Sequence, residues 1–209
     1  GVSPYKFAEL AKKWGFEGLE YVNDLYKDVM NAQNKKNALE KFIKKNIQLA
    51  NQYDLKNILI MIDAEGDLSS EDNISRVNAV ENHKPWVETA NEMGCHSIRV
   101  NLNGSTENVE SWKVSSKESL ANLCDYALNY DINVIVENHG GFSSDADLLM
   151  NVITDVNRSN CGTLPDFGTL NFCVERDLSD SEIFSSKCLN QYDKYLGVKE
   201  LLPFAKGIS

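Results

Sequence analysis

Two carboxylates stand directly after short apolar runs: Glu137 follows Asn133-Val-Ile-Val136, and Asp166 follows Gly162-Thr-Leu-Pro165. If these runs are adjacent parallel strands, about 4.8 Å apart, both carboxylates reach one rim. There they could share a divalent cation or serve as proton-transfer groups. Either alone could as well cap the next helix or bind loop amides. The pair, in consecutive units, points to a metal or catalytic role. His139, two residues beyond Glu137, faces the same rim or binds loop backbone, and the residues leave both open. In Ser97-Ile-Arg-Val-Asn101, Arg99 and Asn101 share one strand face, with Ile98 and Val100 on the other. Arg99 could hold a phosphate or carboxylate. An internal ion pair with Glu20 is the favoured reading. Asn101 is a weaker substrate-contact candidate. Asp63 and Glu65 read as a solvated loop, His83 and His96 as structural, and Trp14, Trp86 and Trp112 as packing residues.

The elements that must position these groups repeat as a unit: amphipathic helix, short turn, short apolar strand ending in polar residues. Helices are expected over Pro4–Trp14, Lys35–Tyr53 and Ser75–Met93, with Pro85 kinking or splitting the third. Another opens at Ser115-Ser-Lys-Glu118, a capping-box pattern, and runs to Tyr130. A helix begins near Ser143 or Ser144, and a last one spans about Tyr192–Leu202. Strands are expected at Leu19–Val22, Ile58–Ile62, Ser97–Asn101, Asn133–Val136 and Gly162–Leu164. A long loop follows Gly168, and Ala205–Ser209 reads as a strand just starting. Alternating strands and helices mean parallel βα units. No GxGxxG or Walker loop follows a strand, which weakens a nucleotide-binding open sheet. Polar groups gathered on one face toward the strand ends fit a barrel mouth. The expectation is an α/β chain, a single partial (β/α)8 TIM-barrel domain over residues 1–209, lacking the first strand and the last one to two βα units.

The 209 residues are 42% hydrophobic and 25% charged, an ordinary globular mix. With 21 basic and 31 acidic residues the net charge is −10, so no basic face is available for nucleic acid or an anionic membrane surface. The five cysteines include no CxxC and show neither a disulfide framework nor a zinc knuckle. A reducing compartment, the cytoplasm, is expected. Gly1-Val-Ser-Pro4 is not a natural start, which leaves room for a removed export signal.

The run Val134-Ile-Val-Glu-Asn-His-Gly-Gly141, joined to Pro165-Asp-Phe-Gly168, resembles the xylose-isomerase-like TIM barrels of the sugar phosphate isomerase/epimerase family. Gly15-Phe-Glu-Gly-Leu-Glu20, Gly94-Cys-His-Ser-Ile-Arg-Val-Asn101 and Leu202-Pro-Phe-Ala-Lys-Gly-Ile-Ser209 extend the similarity, in order, over nearly the whole chain. The resemblance implies that Glu137 and Asp166 bind a divalent metal (Mn, Mg, Zn or Co). A histidine and a second glutamate completing the site are expected beyond Ser209. With half the site, the chain as written is expected to bind metal weakly and catalyse poorly or not at all. The implied chemistry is proton transfer next to the carbonyl of a sugar, sugar phosphate or related polyol, through an ene-diolate. Glu137 is one of the proton-transfer pair, and a residue at the His139 position often contacts substrate. The implied partner is a small molecule, with no nucleic acid and no membrane, and a homo-oligomer is left open.

Other functions compete. A DNA-repair endonuclease of the same superfamily uses a histidine-rich metal cluster, and only three His are present. A glycoside hydrolase would use two carboxylates, but its common strand-end signature is Asn-Glu, whereas here Glu137 precedes Asn138. A non-catalytic carbohydrate-binding barrel, or a hydrolase or lyase of the same superfamily, stays open.

Overall fold

The computed structural model describes residues 3–104, 107–176 and 187–209. Five strands form one parallel sheet: β1 (Gly18–Val22), β2 (Lys56–Met61), β3 (Ser97–Val100), β4 (Asn133–Glu137) and β5 (Cys161–Leu164). They pair in chain order. Helix α1 (Phe7–Lys13) precedes β1, the single-turn α2 (Lys27–Met30) follows it, and α3 (Lys35–Tyr53) leads into β2. Helices α4 (Asn73–Met93), α5 (Val109–Ala127) and α6 (Ala146–Val156) make the next three crossovers, and α7 (Lys194–Leu201) follows β5. Every crossover steps the same way along the sheet. Right-handed connections then place all the helices on one face, whereas a doubly wound sheet reverses its order midway. The sheet is therefore an arc of a (β/α)8 barrel, as its side-chain alternation anticipates.

The helix-facing side carries the main core. Ile60, Ile98, Val100, Val134 and Val136 pack with Phe42, Trp86, Leu120 and Leu149, all fully buried. The other side is the barrel interior, where Leu59, Ile135 and Leu164 form a small separate cluster with Met61. A sixth parallel strand begins beside β5: Thr163 bridges Ala205, and the Ser209 N–H donates to the Pro165 carbonyl at 3.0 Å. Gly162 permits this approach, since a Cβ there would lie 2.5 Å from the Phe204 carbonyl oxygen.

Several sequence expectations need correction. Helix α5 begins at Val109, two turns before Ser115, because the Asn108 side chain accepts from the Glu110 and Ser111 N–H groups. Ser115 and Ser116 lie buried inside it. Pro85 does not split α4. Ala79, Val80 and His83 before it and Trp86, Val87 and Ala90 after it are buried, and their packing outweighs one missing backbone bond. Trp14 is 62% exposed and packs little, unlike the fully buried Trp86 and Trp112. Glu65 is buried, not solvated: its carboxylate accepts from Trp86 Nε1 at 2.5 Å and from Lys35 Nζ at 2.7 Å.

The cysteine reading also changes. Within the expected long loop, β6 (Cys173–Arg176) and β7 (Cys188–Gln191) pair antiparallel, and a Cys173–Cys188 disulfide joins them. Residues 177–186 of that loop lie outside the described ones. Cys95, Cys124 and Cys161 are free and buried. The odd count thus divides into three core thiols and one clasp, and no local spacing announces the clasp.

His83 is structural, as expected. Its Nδ1 lies 2.7 Å from the Ala79 carbonyl oxygen inside the core. Burial lowers its pKa, and the Ala79 bond and the Glu65 charge only partly oppose this. The folded protein therefore keeps His83 neutral, while the unfolded chain takes up a proton below about pH 6.5. This contribution is present above that value and lost as pH falls through the depressed folded pKa. Between about pH 7 and about pH 5 the melting temperature of the parent should fall more steeply than that of His83→Gln. Parallel curves in a thermal-melt series would refute it.

Candidate active site

The C-terminal ends of β2 to β5 bring four predicted regions together. Glu137 ends β4 and is 3% exposed. Asp166 lies two residues past the end of β5 and is half-buried. The register places Glu137 beside Leu164, so the two carboxylates emerge from neighbouring strands. Asn138, fully buried, staples them. Its Oδ1 accepts the Asp166 N–H at 2.8 Å, and its Nδ2 donates to the Asp166 carbonyl at 3.0 Å. Sequence reasoning missed Asn138 as a site residue. Its signal was a polar side chain directly after an apolar strand, on the face opposite Glu137.

Arg99 projects from β3 into the same mouth and is 4% exposed. It does not pair with Glu20. Its Nη1 lies 2.5 Å from Asp63 Oδ1, and its Nε lies 2.9 Å from Glu137 Oε2. The first contact is a hydrogen bond. The second has no hydrogen-bond geometry, so Arg99 Nε and Glu137 Oε2 are buried without hydrogen-bond partners. Asp63 is exposed, as the solvated-loop reading has it, and it also holds Arg99 at the mouth. Asn101 Nδ2 donates to its Oδ1 at 2.9 Å, and its N–H donates to Asn23 Oδ1 at 2.9 Å. Asp63 continues β2 beside β3, whereas Glu20 sits on β1, one strand further away.

His139 is half-exposed, with Nδ1 4.0 Å from Glu137 Oε2. The following Gly140-Gly141 turn lets the loops after β3 and β4 touch: at Gly141, with φ +58°, a Cβ would meet the Asn103 carbonyl oxygen at 2.1 Å. Beside the mouth lies a cleft of about 270 Å³ lined by Asp63, Gly66, Asp67, Asn101, Asn103 and Gly104.

Electrostatics follow from this crowding. Desolvation pushes the Glu137 carboxyl above the ordinary glutamate range; Arg99, His139 and a hydrogen bond to the Ser209 side chain pull it down, and Asp166 pushes it up. Glu20, on the interior face, is also raised, by desolvation first and then by Glu137, with Arg99 opposing. A raised carboxylate in a concave mouth is a group poised to exchange a proton.

Glu137 and Asp166 are hard oxygen donors, the type that Mg²⁺ and Mn²⁺ take. The buried Glu137 Oε2, with no hydrogen bond, fits a cation ligand. Among the described residues, no group of three or more His, Cys, Asp or Glu converges to hold a metal. The described donors thus fit as a part of a metal site.

The family model for xylose isomerase-like TIM barrels matches residues 8–200. The chain belongs to that family. Its fold recurs in solved structures. A 3-keto-D-glucoside 4-epimerase from E. coli superposes with a TM-score of 0.69 at 13% identity, covering 100% of this chain and 73% of that one. A D-tagatose 3-epimerase-like protein gives 0.69 at 18% identity, over 96% of this chain and 68% of that one. A probable 3-DHS dehydratase from Bacillus anthracis gives 0.66 at 15% identity, over 100% and 67%. No curated protein matches the chain. At these identities the likeness to solved structures is one of fold. Family membership agrees with the fold class expected from the sequence. Among the described residues no helix is long and apolar enough to cross a membrane.

Proposed function

We propose that this chain carries the proton-transfer half-site of a divalent-metal-dependent isomerase or epimerase acting on a sugar or related polyol. The observation that carries the reading is Glu137, a buried carboxylate with a raised pKa and an oxygen free of hydrogen bonds, beside Asp166. Glu137 and Asp166 would hold the cation, which when bound would polarise the substrate carbonyl and favour charge development beside it. Glu137 would take the proton from the adjacent carbon. His139, half-exposed 4.0 Å from Glu137, would bond a substrate oxygen. Arg99 and Asn101 would act through Asp63, not by direct grip on a substrate anion. Residues 1–209 would form one domain.

Within that class the site favours an uncharged substrate. Glu20, Asp63, Asp67, Glu137 and Asp166 face the mouth or its cleft, and among the described residues the fixed cation there, Arg99, is already shared between two of them. A phosphate dianion would meet net negative potential there. Asp67, Asn101 and Asn103 offer acceptors and donors that suit hydroxyls. The same potential disfavours nucleic acid. For compartment, the Cys173–Cys188 disulfide weighs toward an oxidising environment, against the cytoplasmic location expected from the sequence.

The test is hydrogen exchange in D₂O, followed by proton NMR, on protein in which this chain sits within a closed eight-stranded barrel, with a panel of free and phosphorylated ketoses and aldoses and Mn²⁺, Mg²⁺, Zn²⁺ or Co²⁺. The expected result is metal-stimulated loss of the C–H signal next to the carbonyl in a free sugar, at least about tenfold faster than in its phosphate. No exchange in any sugar with any metal would overturn the reading and leave a non-catalytic barrel.

A further inference from the structure

Arg99 lies between two carboxylates that come from different strands, and its two contacts are unequal. On one side it is anchored: Nη1 bonds Asp63 Oδ1, which Asn101 Nδ2 also holds at 2.9 Å. Asp63 is itself fixed through its N–H by Asn23, a fully buried residue. On the other side Arg99 forms an ion pair that lacks hydrogen-bond geometry. Nε stands 2.9 Å from Glu137 Oε2, yet neither atom has a hydrogen bond. A guanidinium free to choose would turn its fork onto the buried carboxylate, because charge-assisted, bidentate pairing is the strongest arrangement open to it. The anchor at Asp63 holds it short of that.

The consequence is a carboxylate that is compensated but not consumed. A buried, unpaired Glu137 would be costly and would tend to protonate. A Glu137 fully hydrogen-bonded to arginine would have to break those bonds to bind a metal. We propose that Arg99 is a resident counter-ion that keeps the Glu137 oxygen available to a divalent cation, and that Asp63 sets the metal affinity by holding Arg99 back and cancelling its charge. Both are positioning residues. The inference rests on Glu137 as a metal ligand, as proposed above.

Opposite signs follow from opposite charges. Asp63→Asn weakens the anchor, since a neutral amide oxygen accepts less strongly than a carboxylate, and leaves the arginine charge uncancelled, so Arg99 closes on Glu137 and repels a cation. Asp63→Glu keeps the charge and should recover most of the affinity. Arg99→Gln removes the repulsion and should tighten binding. Each shift should be about tenfold, the scale of one unit charge a few ångströms away in a partly solvated site.

The experiment titrates the full chain with Mn²⁺ alone, all variants at one pH, and reads free Mn²⁺ by electron paramagnetic resonance. Glu137→Gln defines the component that belongs to this site. The expected result is weaker binding in Asp63→Asn, recovery in Asp63→Glu and tighter binding in Arg99→Gln, with circular dichroism showing the fold retained. Should Arg99→Gln fail to fold, the two Asp63 variants decide, since Asp63 is half-exposed and Asn matches its shape. An unchanged or opposite shift in Asp63→Asn overturns this inference and leaves the metal reading standing. A titration that Glu137→Gln does not alter overturns the metal reading, and the inference with it.

Discussion

In protein that completes the barrel around this chain, Glu137→Gln should lower kcat/KM for a responsive sugar by about 10³-fold, the middle of the range for loss of a positioned general base. The loss should fall on kcat, because Gln keeps the shape and much of the polarity of the side chain but cannot take a proton. The same variant should stop exchange of the carbon-bound proton in D₂O, which separates loss of proton abstraction from slow product release. Removing the buried negative charge also leaves Arg99 with Asp63 as its remaining partner, so a modest change in melting temperature is expected beside the kinetic one. A variant within tenfold of the parent, correctly folded, would remove Glu137 from the chemistry.

Trp112→Ala should cost about 3–5 kcal/mol of stability, the cost of an aromatic truncated in a packed core. Trp112 is fully buried in α5, and its indole N–H donates to the Leu102 carbonyl at 2.8 Å. Its ring lies 5.6 Å from that of Phe142 in the loop after β4. It also closes on Gly104, where a Cβ would meet its ring at 2.8 Å. One side chain thus ties the loops after β3 and β4, which frame the mouth, to the helix between them. Truncation leaves a cavity and an unpaired carbonyl together. Urea unfolding measures the effect, and a loss below about 1 kcal/mol would mean that the loops are held by other contacts. Activity should fall as well, because Asn101, which holds Asp63, opens the loop that Trp112 anchors at Leu102.

The parts of the fold that depend on local periodicity were legible in the sequence. The span Lys35–Tyr53 reads as a helix from its apolar stripe and is one in the structure. The five strands stand where short apolar runs end in polar residues, because a strand buried on both faces needs continuous apolar sequence. The arc of a barrel follows from the same alternation, since it separates helix-facing from interior side chains. Boundaries were less legible where a cap decided them. Asn108 starts α5 with a side-chain bond, whereas Ser115-Ser-Lys-Glu118 offers an equally good capping pattern two turns on.

The residues Glu137, Asp166, His139, Arg99 and Asn101 stood out by type and by position at strand ends, and the structure gathers them at one mouth. Which of them touch was decided only by tertiary structure. The Arg99 partner depends on strand order and on the reach of Asp63 from the end of β2, and neither is written in the residues around Arg99. Asp63 and Glu65 look alike in sequence, two residues apart in a polar loop. Asp63 stays at the rim with Arg99, while Glu65 is buried against Trp86 and Lys35. The clasp between Cys173 and Cys188 is of the same kind, since it depends on an antiparallel hairpin bringing two distant residues together. Periodicity and residue type are local properties, so the sequence by itself determines the elements and the chemistry available at their ends. Pairing is a property of distance in the folded chain, so only the tertiary structure decides which charges compensate each other and which carboxylate oxygen is left for a ligand.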